Sequence, residues 1–270
     1  MWIDTHAHLF DLNDQSLAEA INACKEAGVT AVIDTGTSLA SSRVVLEQCS
    51  KQKNLFAAVG ISPFDVVGLP SDWDVQIEEM IQRDRVIALG ETGIDSTNPS
   101  YPDIGLQFPI FEKHLEIARQ GDLPIVIHSR GSESRAVDMC RDHGVVKALF
   151  HCFTGDIRDL KKILDAGYFI SFSGIITFGK SPLRDCVEYA PLDRILIETD
   201  SPYLAPVPFR GSGKKNQPAW VGLVGKRVAE IKKMEETQLA RALAENFIKL
   251  FHGKENENFM EGWLRPSPDR

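Results

Sequence analysis

Six residues able to hold a metal ion stand at or near the ends of short apolar runs in this sequence. His6 and His8 close the run Trp2–His8 with one residue between them. Side chains alternate along a strand, so this spacing places both imidazoles on one face, where the pair can bind one ion. Glu91 ends Ala88-Leu89-Gly90-Glu91, and His128 ends Ile125-Val126-Ile127-His128. His151 follows Ala148-Leu149-Phe150, and Asp200 ends Leu196-Ile197-Glu198-Thr199-Asp200. An ionisable group late in an apolar strand is costly to bury unless something pairs with it. One such residue is an ordinary hydrogen-bonded core group; six in one chain point to a common site. Four imidazoles and two carboxylates suit Zn²⁺, Mn²⁺ or similar ions better than an all-oxygen Ca²⁺ or Mg²⁺ cage. Six ligands exceed the need of one tetrahedral ion, so the reading is two divalent ions, with Glu91 bridging them through both oxygens. Water between two such ions becomes a nucleophile near neutral pH, and Asp200 is placed to serve as ligand and general base.

Eight β-rich runs must bring these residues together: Trp2–His8, Val29–Gly36, Leu55–Ile61, Val86–Gly93, Pro124–Ser129, Lys147–Phe153, Tyr168–Ser173 and Arg194–Asp200. Several are continuously apolar, as in Val86-Ile87-Ala88-Leu89, which suits strands covered on both faces. Helical patterns lie between them. Leu17, Ala20, Ile21 and Cys24 form one apolar stripe, and Phe108–Gln120 and Asp159–Ala166 behave alike. Alternating β/α units predict either a (β/α)8 barrel or an open doubly wound sheet. The polar residues favour the barrel, because its strand ends converge on one face whereas an open sheet would spread them. The domain is expected over residues 1–252, with a polar C-terminal extension at 253–270.

The bulk numbers set limits. A net charge of −8 argues against a broad basic surface for nucleic acid. It does not exclude a nuclease whose bound ions supply local positive charge. Five cysteines, with no C-x-x-C pair, make a disulfide framework unexpected and point to a reducing cytosol. The start of the chain lacks a basic-then-apolar leader pattern, and no apolar stretch has the length of a membrane span. The expectation is a cytoplasmic protein without membrane attachment; no stable protein partner is inferred.

The motifs carrying these residues resemble the TatD family of metal-dependent deoxyribonucleases, within the amidohydrolase-like barrels. The similar segments are Ile3-Asp4-Thr5-His6-Ala7-His8-Leu9, Gly90-Glu91-Thr92-Gly93-Ile94-Asp95, Ile127-His128-Ser129-Arg130, His151-Cys152-Phe153-Thr154-Gly155 and Glu198-Thr199-Asp200-Ser201-Pro202-Tyr203-Leu204. Asn246-Phe247 through Leu250-Phe251 fits as well, so the resemblance runs from residue 1 to about residue 252. It implies a TIM-like barrel, two metal ions and hydrolysis of phosphodiester bonds in DNA, with single-stranded ends as substrate. His6, His8, Glu91 and Asp200 would serve one ion, and Glu91, His128 and His151 the other. Asp4 would either orient a ligand imidazole or make a local hydrogen bond.

Two departures from the family pattern bear on substrate. Where many members carry G-I-H-P-H, this chain reads Gly60-Ile61-Ser62-Pro63-Phe64, and where N-E-P is usual it reads Asn216-Gln217-Pro218. Ser62 can donate a hydrogen bond to substrate; Phe64 is expected to pack on its loop neighbours rather than to stack on a ring. Arg130 and Arg210 are the candidate contacts to a phosphate or carboxylate, while Lys214 and Lys215 read as a solvated loop and Trp220 as packing. His114, His143 and His252 receive no role. Two further readings stay open: a hydrolase of another ester, such as an aminoacyl-tRNA or a small phosphoester, and a non-catalytic metal-binding scaffold.

Overall fold

The computed structural model describes residues 1–12, 15–179 and 181–251. The expected extension 253–270 and His252 lie outside them. Eight strands occur in chain order: β1 (Trp2–Ala7), β2 (Val29–Thr35), β3 (Leu55–Val59), β4 (Val86–Gly93), β5 (Ile125–His128), β6 (Ala148–Phe150), β7 (Phe169–Phe172) and β8 (Ile195–Ile197). Every one falls inside a predicted run. Neighbours pair in parallel from β1 through to β8. The seam between β8 and β1 is drawn together by a parallel bridge, Ala7 to Ser201. Asp200 N–H donates to the His6 carbonyl at 2.9 Å, and His8 N–H to the Ser201 carbonyl at 2.7 Å. The architecture is therefore the (β/α)8 barrel rather than the open sheet.

Helices cover the strands. They are α1 (Leu17–Glu26), α2 (Leu39–Lys51), α3 (Trp73–Met80), α4 (Ile104–Gly121), α5 (Glu133–Asp142), α6 (Ile157–Asp165), α7 (Arg184–Tyr189), α8 (Val221–Lys232) and α9 (Glu236–Phe251). Local chemistry sets their starts. Ser16 and Ser38 form capping boxes with Glu19 and Ser41, and Asp156 does so with Asp159. α4 begins a turn earlier than its apolar periodicity suggests, because the Asp103 carboxylate accepts the Gly105 N–H at 2.8 Å. The long stretch after β8 is a loop, as expected, up to a 3₁₀ turn at Pro218–Trp220.

Two apolar clusters follow from strand alternation. One joins the strands to the surrounding helices through residues such as Val32, Leu55, Val59, Phe111 and Ile163. The other fills the barrel with Ala31, Ile33, Phe56, Ile87, Val126, Leu149, Phe169 and Leu196. Phe56, Ile87, Val126 and Phe169 come from the first halves of their strands. The C-terminal end of α9 plugs that end of the barrel with Phe247, Leu250 and Phe251. Asn246 ties the plug down by donating to the Leu192 and Ile195 carbonyls, each at 2.8 Å. With one end sealed by apolar packing, the C-terminal strand ends remain as the open face.

Candidate metal centre

The backbone of β4 is shaped to deliver Glu91. Gly90 and Gly93 have φ of +138° and +141°, a region that side chains rarely enter. A Cβ on Gly90 would lie 2.5 Å from the Val126 carbonyl oxygen, and one on Gly93 1.9 Å from that of His128. The β4–β5 register shifts between Leu89 and Thr92, a bulge that re-aims the side chain between them. Glu91 is consequently 7% exposed at the barrel axis.

Its two carboxylate oxygens face two different sets of ring nitrogens. Oε2 lies 3.4 Å from His6 Nε2 and 3.5 Å from His8 Nε2. Oε1 lies 3.1 Å from His128 Nδ1 and 3.6 Å from His151 Nε2. Asp200 Oδ1 completes the first set, 3.4 Å from His8 Nε2 and 3.9 Å from His6 Nε2. The His6 and His8 Nε2 atoms converge to 3.1 Å. All six predicted ligands therefore meet at one place. Three overlapping groups, His6/His8/Glu91, Glu91/His128/His151 and His6/His151/Asp200, each bring their ligand atoms within 4.8 Å of one another. The His6 and His151 rings stack at 3.9 Å, packing the two halves together.

The donor set fits a metal. His151 Nε2 is buried and makes no hydrogen bond although it points at Glu91; buried ring nitrogens are rarely left so. The titration behaviour agrees. Burial disfavours charge on His8, yet Asp200 and Glu91 outweigh it and raise its pKa to about 9. Burial likewise opposes ionisation of Glu91, and the surrounding histidines, His151 foremost, hold its carboxyl well below the usual range. His128 and His151 are raised as His8 is, against burial and by their carboxylate neighbours, whereas burial and the His151 charge lower His6. A pocket that draws protons onto three of its imidazoles is one that a cation can occupy in their place.

Three of the four imidazoles face a partner behind the ring; His6 Nδ1 is buried without a hydrogen bond. His8 Nδ1 lies 2.8 Å from the Thr35 carbonyl. His128 Nε2 lies 2.9 Å from Asp95 Oδ2, and Asp95 Oδ1 in turn accepts the Thr97 hydroxyl at 2.8 Å. His151 Nδ1 faces Glu198 Oε1 at 3.4 Å, and the other Glu198 oxygen accepts the Ser171 hydroxyl. Such contacts fix ring orientation and tautomer. Sequence reasoning did not assign Asp95 or Glu198 to the site. Glu198 carried the same signal as the ligands, a carboxylate at the end of an apolar strand, and Asp95 stands four residues after Glu91.

Asp4 does not support a ring. Its carboxylate accepts the Thr199 N–H at 2.8 Å, the Thr199 hydroxyl at 2.5 Å and the His6 N–H at 3.3 Å. The local-hydrogen-bond alternative is thus the observed one; the β1–β2 register shifts between Asp4 and Ala7, so strict alternation fails there. Through Thr199, Asp4 steadies the turn carrying Asp200. Asp200 lies three residues beyond the end of β8 at φ 55°, a left-handed conformation that needs support. Asn216 supplies it by donating to the Thr199 and Tyr203 carbonyls at 2.7 and 2.6 Å.

The centre opens into a cleft of about 580 Å³. Arg130, exposed, and Ser62, buried, both line it, and the Ser62 hydroxyl reaches Asp65 at 3.5 Å. Arg210 is not brought to the cleft wall: its guanidinium lies 3.9 Å over the Phe178 ring. Lys214 and Lys215 border a separate hollow with Gln217 and Trp220, and Trp220 packs on Phe209 at 3.9 Å. Phe64, expected to pack into its loop, instead stands 56% exposed in the cleft wall. His114 is structural, accepting the Ile61 N–H at 3.1 Å.

Fold and site together define a metal-dependent hydrolase built on a (β/α)8 barrel. The family model described as TatD related DNase matches residues 3–252, and the chain belongs to the TatD family. It is 35% identical over 258 residues to YcfH of Escherichia coli strain K12, named an uncharacterized metal-dependent hydrolase, covering 93% of this chain and 95% of the relative. It is 32% identical over 256 residues to YabD of Bacillus subtilis strain 168, which carries the same description, covering 93% and 99%. The crystal structure of the TatD homologue YJJV from Escherichia coli K12 superposes with a TM-score of 0.87 at 28% identity, covering 93% of this chain and 98% of that one.

Proposed function

We propose that the protein is a two-metal phosphodiesterase that releases nucleotides from the ends of single-stranded DNA. The observation that carries this reading is the division of Glu91: one oxygen faces His6 and His8, the other His128 and His151. One divalent ion would be held by His6, His8, Asp200 and Glu91 Oε2, and a second by Glu91 Oε1, His128 and His151. Zn²⁺, Mn²⁺ and Mg²⁺ are the candidate ions. Ions so placed supply Lewis-acid activation of water and of the scissile phosphate. Asp200, whose Oδ1 faces the first set and which also lines the cleft, would take up on its carboxylate the proton that the attacking water loses. Arg130, on the cleft wall, neutralises a non-bridging phosphate oxygen, and Ser62 is a hydrogen-bond donor in the place of the family's usual histidine. The match to a model described as a DNase supports the substrate class. A reducing cytosol is the compartment assigned, on the five free, buried cysteines.

A second reading has its own support. The cleft also carries Asp11, Asp65 and Glu133, and among the described residues lining it Arg130 is the single lysine or arginine. That balance favours a small ester over a long polyanion. The deciding experiment uses protein stripped with chelator, refilled with Mn²⁺, Mg²⁺ or Zn²⁺, and given end-labelled single-stranded DNA, aminoacyl esters and small phosphoesters. Metal-dependent nucleotide release, lost by about a hundredfold to a thousandfold in Glu91→Ala, the size of losing a main electrostatic contribution, is the expected result. Faster turnover of a small or acyl ester, with DNA untouched, would replace the nuclease reading by the second.

A further inference from the structure

The loop after β3 sets an aromatic face beside the metal centre. Phe64 follows Ser62 in a tight turn, with Asp65 N–H donating to the Ser62 carbonyl at 3.0 Å and Ser62 N–H to the Thr37 carbonyl at 2.7 Å. The backbone is therefore fixed although the ring is 56% exposed. The Phe64 and Tyr101 rings meet in a T-shaped contact, with centroids 5.4 Å apart and planes at 62°. A T-shaped contact holds a ring in place while leaving a π face uncovered. Tyr101 continues toward the ligands, 6.3 Å from the His128 ring. Both rings, His128 and Arg130 line the same cleft. At a position fixed by its turn, in a polar cleft, the Phe64 ring remains more than half exposed despite its contact with Tyr101. A planar group brought by the substrate can cover it.

We infer that Phe64, braced by Tyr101, is a specificity-determining residue that stacks the base of the terminal nucleotide while its phosphate lies at the metal centre and Arg130. This rests on the phosphodiesterase reading for the phosphate and goes beyond it in choosing the ring. Every nucleobase has a π face, so such a contact selects nucleotides over other phosphoesters without choosing among sequences.

The test compares two single-stranded oligonucleotides, one ending in thymidine and one ending in an abasic tetrahydrofuran residue. The kcat/KM ratio of the first to the second should fall about fivefold to tenfold in Phe64→Ala and Phe64→Leu, the lower range for a base–aromatic stack, and be restored in Phe64→Trp. Leucine keeps apolar volume without a π face, so it separates stacking from mere contact. A second measurement needs no turnover. Calorimetric titration of the metal-loaded protein with thymidine 5′-monophosphate and with 2-deoxyribose 5-phosphate should show the nucleotide bound more tightly, an advantage that Phe64→Ala erases. If the wild type cleaves no DNA, the phosphodiesterase reading falls, and calorimetry still decides the stack. Equal affinity for the two ligands, or an advantage that survives in Phe64→Ala, overturns the inference.

Discussion

At the scale of single residues, the site has carboxylates that stand behind its imidazoles, away from Glu91. Asp95 holds the far nitrogen of His128, and Glu198 faces that of His151. Under the two-ion reading, Asp95→Asn weakens the ion at His128 by about tenfold to a hundredfold, the usual cost of losing such a partner. The ion at His6 and His8 should be held with little change. Calorimetric titration with Mn²⁺ that resolves two steps reads this directly; equal weakening of both steps would mean that Asp95 acts through overall charge. The pH dependence is set at the same scale. Without metal, burial opposes protonation of His8, but Asp200 and Glu91 raise its pKa to about 9, so the ring carries a proton at pH 7. An imidazole ligand must be neutral, so metal binding releases that proton. Affinity should rise with pH by roughly tenfold per unit for each proton released, from pH 6 up to the pKa near 9, and level off above it. Titration in two buffers of different ionisation enthalpy counts the protons, and a flat profile would contradict the assignment.

At the scale of elements, the site is a product of irregularities in otherwise regular strands. β4 bends around Gly90 and Gly93, the β1–β2 register slips between Asp4 and Ala7, and β8 gives way to a left-handed Asp200. Gly93→Ala tests how tightly that geometry is drawn. Its Cβ would sit 1.9 Å from the His128 carbonyl oxygen at φ +141°, so the variant should lose about 3 kcal/mol or more to strain and overpacking. Gly121→Ala, at the end of α4, meets nothing closer than 3.6 Å and should stay within about 1 kcal/mol of the parent. Urea unfolding of both variants makes the comparison, and a Gly93→Ala protein as stable as Gly121→Ala would remove the argument. The elements themselves were legible in the sequence. Eight apolar runs became eight strands because a strand covered on both faces must be apolar almost throughout. What could not be read was the exact departure from regularity: the two roles open to Asp4 are separated only by the fold, where β1 slips in register and Asp4 bonds to Thr199.

At the scale of the whole molecule, the two ends of the barrel are divided by chemistry. Phe247, Leu250 and Phe251 of α9 close the end where the strands begin, and the ionisable groups gather where they finish. The net charge of −8 then constrains how a nucleic acid can bind. With Arg130 the single lysine or arginine among the described residues lining the cleft, a DNA substrate should be held chiefly by the ions. The slope of log(kcat/KM) against log[NaCl] should be shallow, about −1 for one or two phosphate contacts to single-stranded DNA. A slope steeper than about −4 would require a basic track outside the cleft. No helix among the described residues is long and apolar enough to cross a membrane.

The sequence by itself pointed to the barrel and to the six His, Glu and Asp residues that the fold brings together, because both are written in local patterns: apolar runs of strand length, and ionisable groups where a strand should remain apolar. Tertiary structure alone decided which oxygen of Glu91 faces which imidazoles, that Asp95 and Glu198 stand behind His128 and His151, that Arg210 lies over Phe178, and that Phe64 stands open in the cleft. Each of these depends on side chains from different β/α units meeting across the barrel mouth. Such meetings are set by strand register, bulges and loop turns, whose sub-residue shifts leave no periodicity in the chain.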